Sequence, residues 1–437
     1  MSRHYRFSLL NILFNISIVL SNLINFEERG GVPNDDSLLV VKNNSLIFNS
    51  VGSKLNMGDI FYFSNKTFHF MGGLQLGNLN SVQFVIDGNI TFSKNIDKWP
   101  RNESVPDDCI YIYNSNNLSF SSNELFSGKI DGNGERWWGL PFIGILIRLE
   151  NRPKLFHLDN VTNILIERLS FTNSPYWTIQ VENMNGLIIR NISIINRRTT
   201  SKKHTFIDES AFNTDGIDIQ GENVHIYDVY IWTQDDCIAV KGNSKNMLFE
   251  RINASGEGLT IGSIGQEIVN NITFKDCYME NTNKGIYMKF NGAADIDKDD
   301  EGLISNIKYE NITINNPSEY AIWIGPAQQA DSRFICHANP CSLCWPMLSP
   351  WAKCNIPRYG IFKNISLRNI NINYRNTTFI NKKYVGVIMG SNINPIYNIE
   401  FYNVYVMDEK GRNEERKYIC NNVKGDFHGN TKPIPDC

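Results

Sequence analysis

A repeated spacing of apolar residues runs through most of the 437-residue chain and limits its possible folds more than any other feature. Each unit has two apolar positions that alternate with other residues, a two-residue break, and then a second alternating pair, as in Ile164, Ile166, Leu169 and Phe171. The units that share this template begin at Ile164, Leu187, Val224, Met247, Ile272, Ile307, Ile365 and Ile399. Short strands that recur at a fixed period and point alternate side chains inward are typical of a stacked solenoid.

An asparagine commonly stands immediately before a unit, at Asn163, Asn223, Asn246, Asn271, Asn306, Asn364 and Asn398. At a turn, this side chain can bond to its own backbone and to the same residue one coil away, about 4.8 Å along the stack. We therefore predict an all-β, single-domain, right-handed parallel β-helix, in which the wider spacings mark loop insertions. A stack of antiparallel hairpins is the alternative, but the chain has few Asn-Gly or Asp-Gly hairpin signals.

The N-terminal segment has the layout of a secretory signal. Arg3 and Arg6 precede a mostly apolar run from Phe7 to Leu20. We predict that residues 1–24 are a signal peptide and that residues 25–437 form the β-helix domain. An uncleaved anchor is the alternative, because no A-x-A cleavage site is evident. No later segment has the 18 or more apolar residues that a membrane span needs.

Sequons and cysteines agree with an extracellular protein. Sequons of the form N-x-[ST] follow the leader, among them Asn65, Asn89, Asn117, Asn160, Asn253, Asn311 and Asn376. All nine cysteines also follow it, with Cys336, Cys341, Cys344 and Cys354 in one loop and Cys420 and Cys437 around the tail. This pattern predicts short-loop disulfides in a secreted protein, with zinc as the alternative for the four-cysteine loop.

The charge of the chain gives little sign of a charged macromolecular partner. The formal net charge is -3 and the pI is near 6.2, so no basic face indicates nucleic acid. We expect a monomer that is not inserted in a membrane after signal cleavage.

Two acidic motifs lie about one coil apart: NTDGIDIQG at Asn213–Gly221 and QDDCIAVKG at Gln234–Gly242. On a stacked solenoid, this spacing places Asp215 beside Asp235 on a neighbouring coil, with Asp236 adjacent. Carboxylates this close raise one another's pKa, so at least one stays protonated near neutral pH. A protonated carboxyl that faces ionised ones suits glycosidic bond hydrolysis. A solvated acidic turn and a calcium site are the alternatives.

Together with these motifs, several others occur in one order along the chain: VPNDDS at Val32–Ser37, IDGNGERWW at Ile130–Trp138, RP and NSPYW within Arg152–Trp177, GEGLTIGSIG, and a downstream MK. In this combination the chain resembles glycoside hydrolase family 28, the polygalacturonase family. The resemblance implies a right-handed β-helix enzyme that hydrolyses pectic or related polysaccharides with inversion and without a metal or organic cofactor.

The resemblance also implies roles for the three aspartates. Asp235 would be the general acid that protonates the leaving oxygen. Asp215 and Asp236 would position and deprotonate the attacking water. In inverting enzymes the acid and base are about 6.5–9.5 Å apart, a distance that residues on adjacent coils could meet.

Four further residues match, or depart from, the family's substrate-binding positions. Lys289 matches the lysine of an R-I-K motif that binds a sugar carboxylate, and Tyr320 falls where the family has an active-site tyrosine. Glu257 replaces the histidine of a G-H-G motif, and Tyr287 replaces the arginine of R-I-K. Glu257 would repel a sugar carboxylate unless it is protonated or points away. A mixed or decorated pectin therefore becomes more favourable than simple homogalacturonan.

The fate of Cys237 stays open. The family has a disulfide from this position to a cysteine about sixteen residues later, but the corresponding segment, RINASGEG, contains none. Cys237 is either free or paired elsewhere, for example with Cys277, whose inward position favours a core thiol.

Two other functions compete with hydrolysis. A catalytically silent β-helix that binds glycan would explain the loss of the histidine and the arginine. A polysaccharide lyase would also use a β-helix, usually with Ca²⁺, but NTDG, QDD and MK together favour a hydrolase.

Overall fold

The predicted parallel β-helix is confirmed. In the computed structural model, residues 21–139, 152–295, 301–329, 341–342, 355–374, 384–408 and 416–437 are described. Twenty-five of the strands in these residues belong to one sheet, and the paired strands of that sheet run parallel. Each strand pairs with its counterpart in the next coil, so the sheet winds around one continuous apolar core.

The elements follow one another with short connections. The first part contains β1 (Leu23–Asn25), α1 (Leu38–Gly52), β2 (Ile60–Phe63), β3 (Thr67–Phe70), β4 (Leu74–Gly77), β5 (Gln83–Ile86), β6 (Asn89–Phe92), β7 (Arg101–Asn102), β8 (Val105–Pro106), β9 (Ile110–Ser121) and β10 (Gly128–Asp131). The central part contains β11 (Phe156–Glu167), β12 (Leu169–Thr172), β13 (Ile179–Ile195), β14 (Ile217–Trp232), β15 (Asp236–Val240), β16 (Ser244–Ser255), β17 (Gly258–Ile264), β18 (Ile268–Lys275), β19 (Tyr278–Glu280) and β20 (Ile286–Phe290).

The last part contains β21 (Gly302–Asn315), β22 (Ile322–Pro326), β23 (Gln328–Gln329), β24 (Cys341–Ser342), β25 (Gly360–Asn373), β26 (Tyr384–Met389), β27 (Ile396–Met407), β28 (Lys417–Asn421) and β29 (Val423–His428). Short 3-10 helices lie at Ile96–Lys98, Gly134–Arg136, Asp208–Ala211 and Gly292–Asp295.

The predicted repeat is the register of the sheet. The first residue of every unit stacks directly on the first residue of the next, in the order Ile164, Leu187, Val224, Met247, Ile272, Ile307, Ile365 and Ile399. All of these side chains are buried. Because a one-residue slip would turn each apolar set outward, burial of the core fixes this register.

The asparagines before the units form the predicted ladder. Each of them has a left-handed backbone with φ between 52° and 59°, which asparagine tolerates better than most residues. Asn271 donates to Asn246 at 2.9 Å, and Asn364 donates to Asn306 at the same distance. A second ladder lies at the next bend, where Asn369 donates to Asn311 and accepts from Asn403, each at 3.0 Å.

Helix α1 is an element that the repeat does not predict. It lies over the N-terminal coils, where its Phe48 ring packs 5.5 Å from the ring of Phe61. The strand template is absent from Leu38–Gly52, and a helix there covers apolar side chains that no preceding coil would cover.

The termini and the cysteines give mixed outcomes. The predicted disulfide between Cys420 and Cys437 is present, whereas Cys237 and Cys277 are free and buried, as is Cys109. The pairing of Cys237 with Cys277 is therefore wrong, and the core-thiol prediction for Cys277 is confirmed.

Some sequence predictions fall on other parts of the chain. The side chains of Cys336, Cys341, Cys344 and Cys354, Asn376, and residues 1–20 of the predicted signal lie outside the described residues. The predicted boundary at residue 24 falls inside strand β1. Across the ranges given above, the helices are all too short or too polar to cross a membrane.

The ladder predicts how much one asparagine stabilises the fold. Replacing Asn369 by alanine should lower the free energy of unfolding by about 2–3 kcal/mol, because both the left-handed backbone and two ladder hydrogen bonds are affected. Asn369→Gly should cost about 1 kcal/mol less, because glycine keeps the backbone conformation. Thermal and denaturant unfolding would measure both.

Asn371 is a matched control on the same strand, since its side chain makes no hydrogen bond to another described residue. Asn371→Ala should change stability by no more than about 0.5 kcal/mol. Equal losses at the two positions would contradict a stabilising ladder.

Candidate active site

One row of side chains along the helix axis contains all three predicted catalytic aspartates. These residues stand just before, or at, the first strand of successive coils, and backbone hydrogen bonds join them from coil to coil. The N–H of Glu257 donates to the carbonyl of Asp235 at 2.7 Å, and the N–H of Lys284 donates to that of Glu257 at 2.9 Å. We call this set the axial row; in order it is Lys154, Trp177, Asp215, Asp235 with Asp236, Glu257, Lys284 and Glu319.

The three aspartates meet as the sequence predicts. Asp215, Asp235 and Asp236 each place a carboxylate oxygen within 4.8 Å of the others. Asp215 and Asp236 are buried, with 4% and 2% of their surface exposed, whereas Asp235 is half-buried. The amide of Asn213 donates to Asp235 at 3.3 Å, and the N–H of Asp236 donates to the same carboxylate at 2.8 Å.

The separation of these oxygens differs from the expected one. A distance of at most 4.8 Å is shorter than the about 6.5–9.5 Å of inverting enzymes and is close to the about 5–5.5 Å of retaining ones. The reason is the fold, since neighbouring coils are about 4.8 Å apart and both side chains point to the same side.

Asp236 is the ionised member of the group. Burial alone would raise its pKa, but Lys289 and Lys241 outweigh burial, so its pKa lies below the usual value. The ammonium of Lys289 is 2.9 Å from one oxygen, and the hydroxyl of Thr260 donates to the other at 2.6 Å.

Asp235 and Asp215 are the protonated members near neutral pH. Burial raises the pKa of Asp235 to about 7, and the charges of Asp236 and Glu257 add to this effect. Burial also raises the pKa of Asp215 well above its usual value, with Asp218 and Asp235 as further causes. The cluster therefore holds a proton donor beside an ionised carboxylate.

Lys289 lies against Tyr287, at 4.2 Å from the centre of its ring. Tyr287 and Tyr320 are buried, with 2% and 0% of their surface exposed, and they pack with Trp323. The hydroxyl of Tyr287 accepts a hydrogen bond from the N–H of Gln328 at 2.9 Å. The two tyrosines thus support Lys289 from below, and their direct contact with substrate stays a prediction.

Glu257 does not stand as an isolated charge. Its carboxylate is 2.9 Å from the ammonium of Lys284, which is also 2.8 Å from Glu319. The amide of Asn283 donates to Glu257 at 3.0 Å. Burial opposes the charge on Lys284, yet the two glutamates outweigh it and raise the pKa of this lysine. The expected repulsion by Glu257 is thus reduced by a buried partner.

The glycines on both sides of Glu257 are required by close backbone contacts. A Cβ at position 256 would lie 2.7 Å from the carbonyl oxygen of Asp235. Gly258 has φ of +129°, and a Cβ there would lie 2.5 Å from the carbonyl oxygen of Lys284. The G-E-G pattern therefore brings the Asp235 coil and the Lys284 coil close together.

The sequence motifs did not identify several charged residues of the site. Lys284 and Glu319 neutralise or surround Glu257, and Lys241 forms an ion pair with the buried Asp218 at 3.2 Å. Extending the axial row by one coil in each direction would have found Lys284 and Lys154, because the register is regular.

Arg152 also belongs to the surroundings of the aspartates. It is buried, donates to the carbonyl of Phe212 at 2.7 Å, and lies 4.8 Å over the ring of Tyr176. Burial lowers its pKa to about 10, and the nearby Asp215 and Asp235 oppose that effect. Its positive charge therefore persists at neutral pH beside the carboxylates.

The arrangement fits acid–base chemistry, and its oxygens would also suit a divalent cation. Lys289 already supplies a positive charge to Asp236, which disfavours a second cation at the same oxygens. The prediction that the site needs no metal or cofactor stays a prediction.

Comparison with known proteins decides the family. The sequence model of the glycosyl hydrolases family 28 matches residues 71–333, which is more than half of the chain. The chain belongs to this family. It is a glycoside hydrolase of the polygalacturonase type, as the sequence motifs predict.

Curated and solved relatives agree along most of the chain. An exopolygalacturonase from Cochliobolus carbonum is 27% identical over 399 residues, which cover 87% of this chain and 80% of that protein. The crystal structure of an endo-xylogalacturonan hydrolase from Aspergillus tubingensis has a TM-score of 0.68 at 20% identity and covers 92% and 96% of the two chains. An exopolygalacturonase structure from Thermotoga maritima has a TM-score of 0.67 at 17% identity, with 93% and 90% covered. The two structures establish the β-helix fold.

The family 28 site predicts a strong dependence of stability on Lys284. Replacing it by methionine would leave Glu257 and Glu319 facing each other without a cation, at a cost of about 3–5 kcal/mol in the free energy of unfolding. Adding Glu257→Gln and Glu319→Gln to this variant should recover most of the loss. Denaturant unfolding of the variants would measure these changes.

The exposed pair of Lys245 and Glu222, at 2.9 Å, provides the control. Lys245→Met should cost no more than about 1 kcal/mol. A similarly small effect at Lys284 would show that its ion pairs do not stabilise the fold.

Proposed function

We propose that the protein is a secreted, monomeric enzyme that hydrolyses glycosidic bonds in galacturonate-containing pectic polysaccharide. The observation that carries this proposal is the pair of neighbouring aspartates in opposite protonation states. Asp235 has a pKa of about 7, while that of Asp236 is lowered. The names of the relatives, exopolygalacturonase and endo-xylogalacturonan hydrolase, support a pectic substrate.

In the proposed reaction, Asp235 is the general acid. Its proton passes to the glycosidic oxygen as the bond from that oxygen to the anomeric carbon breaks. A water molecule attacks the same carbon and loses its proton to Asp236, the ionised carboxylate. Asp215, whose pKa is raised, holds the water by hydrogen bonds. Lys289 stabilises Asp236 and places positive charge beside the sugar.

The stereochemistry of the reaction needs its own test. The resemblance to the polygalacturonase family implies inversion, and we adopt it for this chain. The short distance between the carboxylates argues for retention. Proton NMR of the first product released would show which anomer forms.

A catalytically silent glycan-binding protein is the second candidate. It is favoured by the two replaced positions, Glu257 and Tyr287, which remove cationic groups from the site. Against it, the three aspartates and Lys289 keep a complete acid–base arrangement. Reducing-sugar release from pectic glycans would separate the two candidates, and an unsaturated product would indicate a lyase.

The proposal predicts a large effect of Asp235. Asp235→Asn should lower kcat/KM by a factor of about 10²–10⁴, because the amide cannot give a proton to the leaving oxygen. Binding of the glycan should persist, since the shape of the site is kept. Initial rates on polygalacturonate and on decorated pectins would measure the change.

Asp228 gives a matched control, because it is exposed, far from the axial row in sequence, and paired with Arg251 at 2.7 Å. Asp228→Asn should leave kcat/KM unchanged. Full activity in Asp235→Asn would contradict the assigned acid.

The pH dependence follows from the two pKa directions. Activity requires Asp235 protonated and Asp236 ionised, so it should be high in mildly acidic solution and fall as pH rises through about 7. Because Glu257 raises the pKa of Asp235, Glu257→Gln should move this alkaline limb to lower pH by about half a unit. Rates measured from pH 3 to 9 (roughly the range of these pKa values) would show the shift.

Glu319→Gln is the control, because Glu319 shares Lys284 with Glu257 but is not among the groups that raise the pKa of Asp235. Its alkaline limb should stay in place. An equal shift in both variants would mean that Glu257 does not act directly on Asp235.

A further inference from the structure

The axial row is electrically unequal on the two sides of Asp235. On the N-terminal side, the ammonium of Lys154 lies 5.6 Å from the ring centre of Trp177. Among the described residues, no carboxylate forms an ion pair with Lys154. Lys154 and Trp177 are both half-buried, so each presents part of its surface to the solvent.

A second lysine reinforces this side. Lys241 is 5.4 Å from the same Trp177 ring, and its charge is matched by the buried Asp218 at 3.2 Å. The ring of Tyr176 is stacked on Trp177 at 4.7 Å, which holds the indole in place. An aromatic surface with an uncompensated ammonium suits a sugar ring that carries a carboxylate.

The C-terminal side has the opposite balance. Lys284 is buried between Glu257 and Glu319, so two carboxylates surround one ammonium and leave a net negative charge. Lys289, the nearest other cation, is already 2.9 Å from Asp236. The floor of this side is aromatic, with Tyr287 at 4.8 Å from the ammonium of Lys284. A second carboxylate would meet repulsion there.

The distance between coils matches the two sides to different sugar units. Coils repeat at about 4.8 Å along the axis, which is comparable with the length of one sugar residue in an extended glycan. Trp177 and Glu257 lie on different coils, with those of Asp215 and Asp235 between them. A chain lying along the row therefore places different units against the two sides.

We propose that the cleft takes a glycan in which a galacturonate over Lys154 and Trp177 is joined to an uncharged unit against Glu257. The uncharged unit is a neutral sugar or an esterified uronate. This rests on the proposed function, because it names the substrate of the same site. It distinguishes this chain from an enzyme built for unbroken, fully ionised polygalacturonate.

Equilibrium binding to Asp235→Asn tests the preference without turnover. The probes are a galacturonate oligomer, its methyl ester, and an oligomer in which galacturonate alternates with rhamnose, each measured by calorimetry. The alternating and partly esterified probes should bind at least about tenfold more tightly than the ionised oligomer, because they avoid one like-charge contact. Tighter binding of the ionised oligomer would overturn the proposal.

Two added substitutions assign the effect to residues. Glu257→Gln should narrow the gap between probes by improving the ionised oligomer, and Glu319→Gln should act in the same direction if the first variant does not fold. Glu222→Gln, outside the row, should leave the gap as it is. An unchanged gap in folded Glu257→Gln would also overturn the proposal.

Lys154→Gln tests the other side. It should weaken probes with an ionised galacturonate by a similar factor of about ten, and it should have little effect on the fully methyl-esterified probe. Equal weakening of the esterified probe would mean that Lys154 does not read a carboxylate.

Hydrolysis of the same probes by the unmodified protein separates this inference from the proposed function. If no probe is cut but the binding preference holds, the proposed function fails and the charge preference stands. If the ionised oligomer is both bound and cut best, the hydrolase stands and the inference fails.

Discussion

The stacking of parallel coils at a fixed register is the constraint on which the rest of the molecule depends. Buried isoleucine and leucine side chains fix that register, because a slip by one residue would turn the core outward. The same register then repeats the position before each first strand along the axis. Asp215, Asp235, Glu257 and Lys284 are neighbours for this reason, although 20 to 27 residues separate them in the chain.

Burial decides the chemistry of the cluster as much as charge does. Asp235 and Asp236 are adjacent in sequence, yet their pKa values move in opposite directions. Asp236 has Lys289 and Thr260 as partners, whereas Asp235 meets mainly other carboxylates and Asn213. Local partners thus give two chemically identical side chains different protonation states.

The sequence was sufficient for the fold and for the position of the three aspartates, because both follow from one period. It was not sufficient for helix α1, which lies outside the repeat, or for the partners of Glu257. Lys284 and Glu319 come from the next two coils, and no local motif marks them. The distance between the carboxylates also depends on side-chain directions, which a spacing of residues along the chain does not determine.

The axial row gives each coil one side chain to present along the cleft. Substituting that residue changes the chemistry met by one stretch of the glycan and leaves the core beneath it untouched. Loss or gain of a whole coil would instead move every later position by one step relative to the acid. Divergence among proteins of this architecture can therefore proceed by two independent routes, a change of letter at one position or a shift of reading frame along the sugar chain.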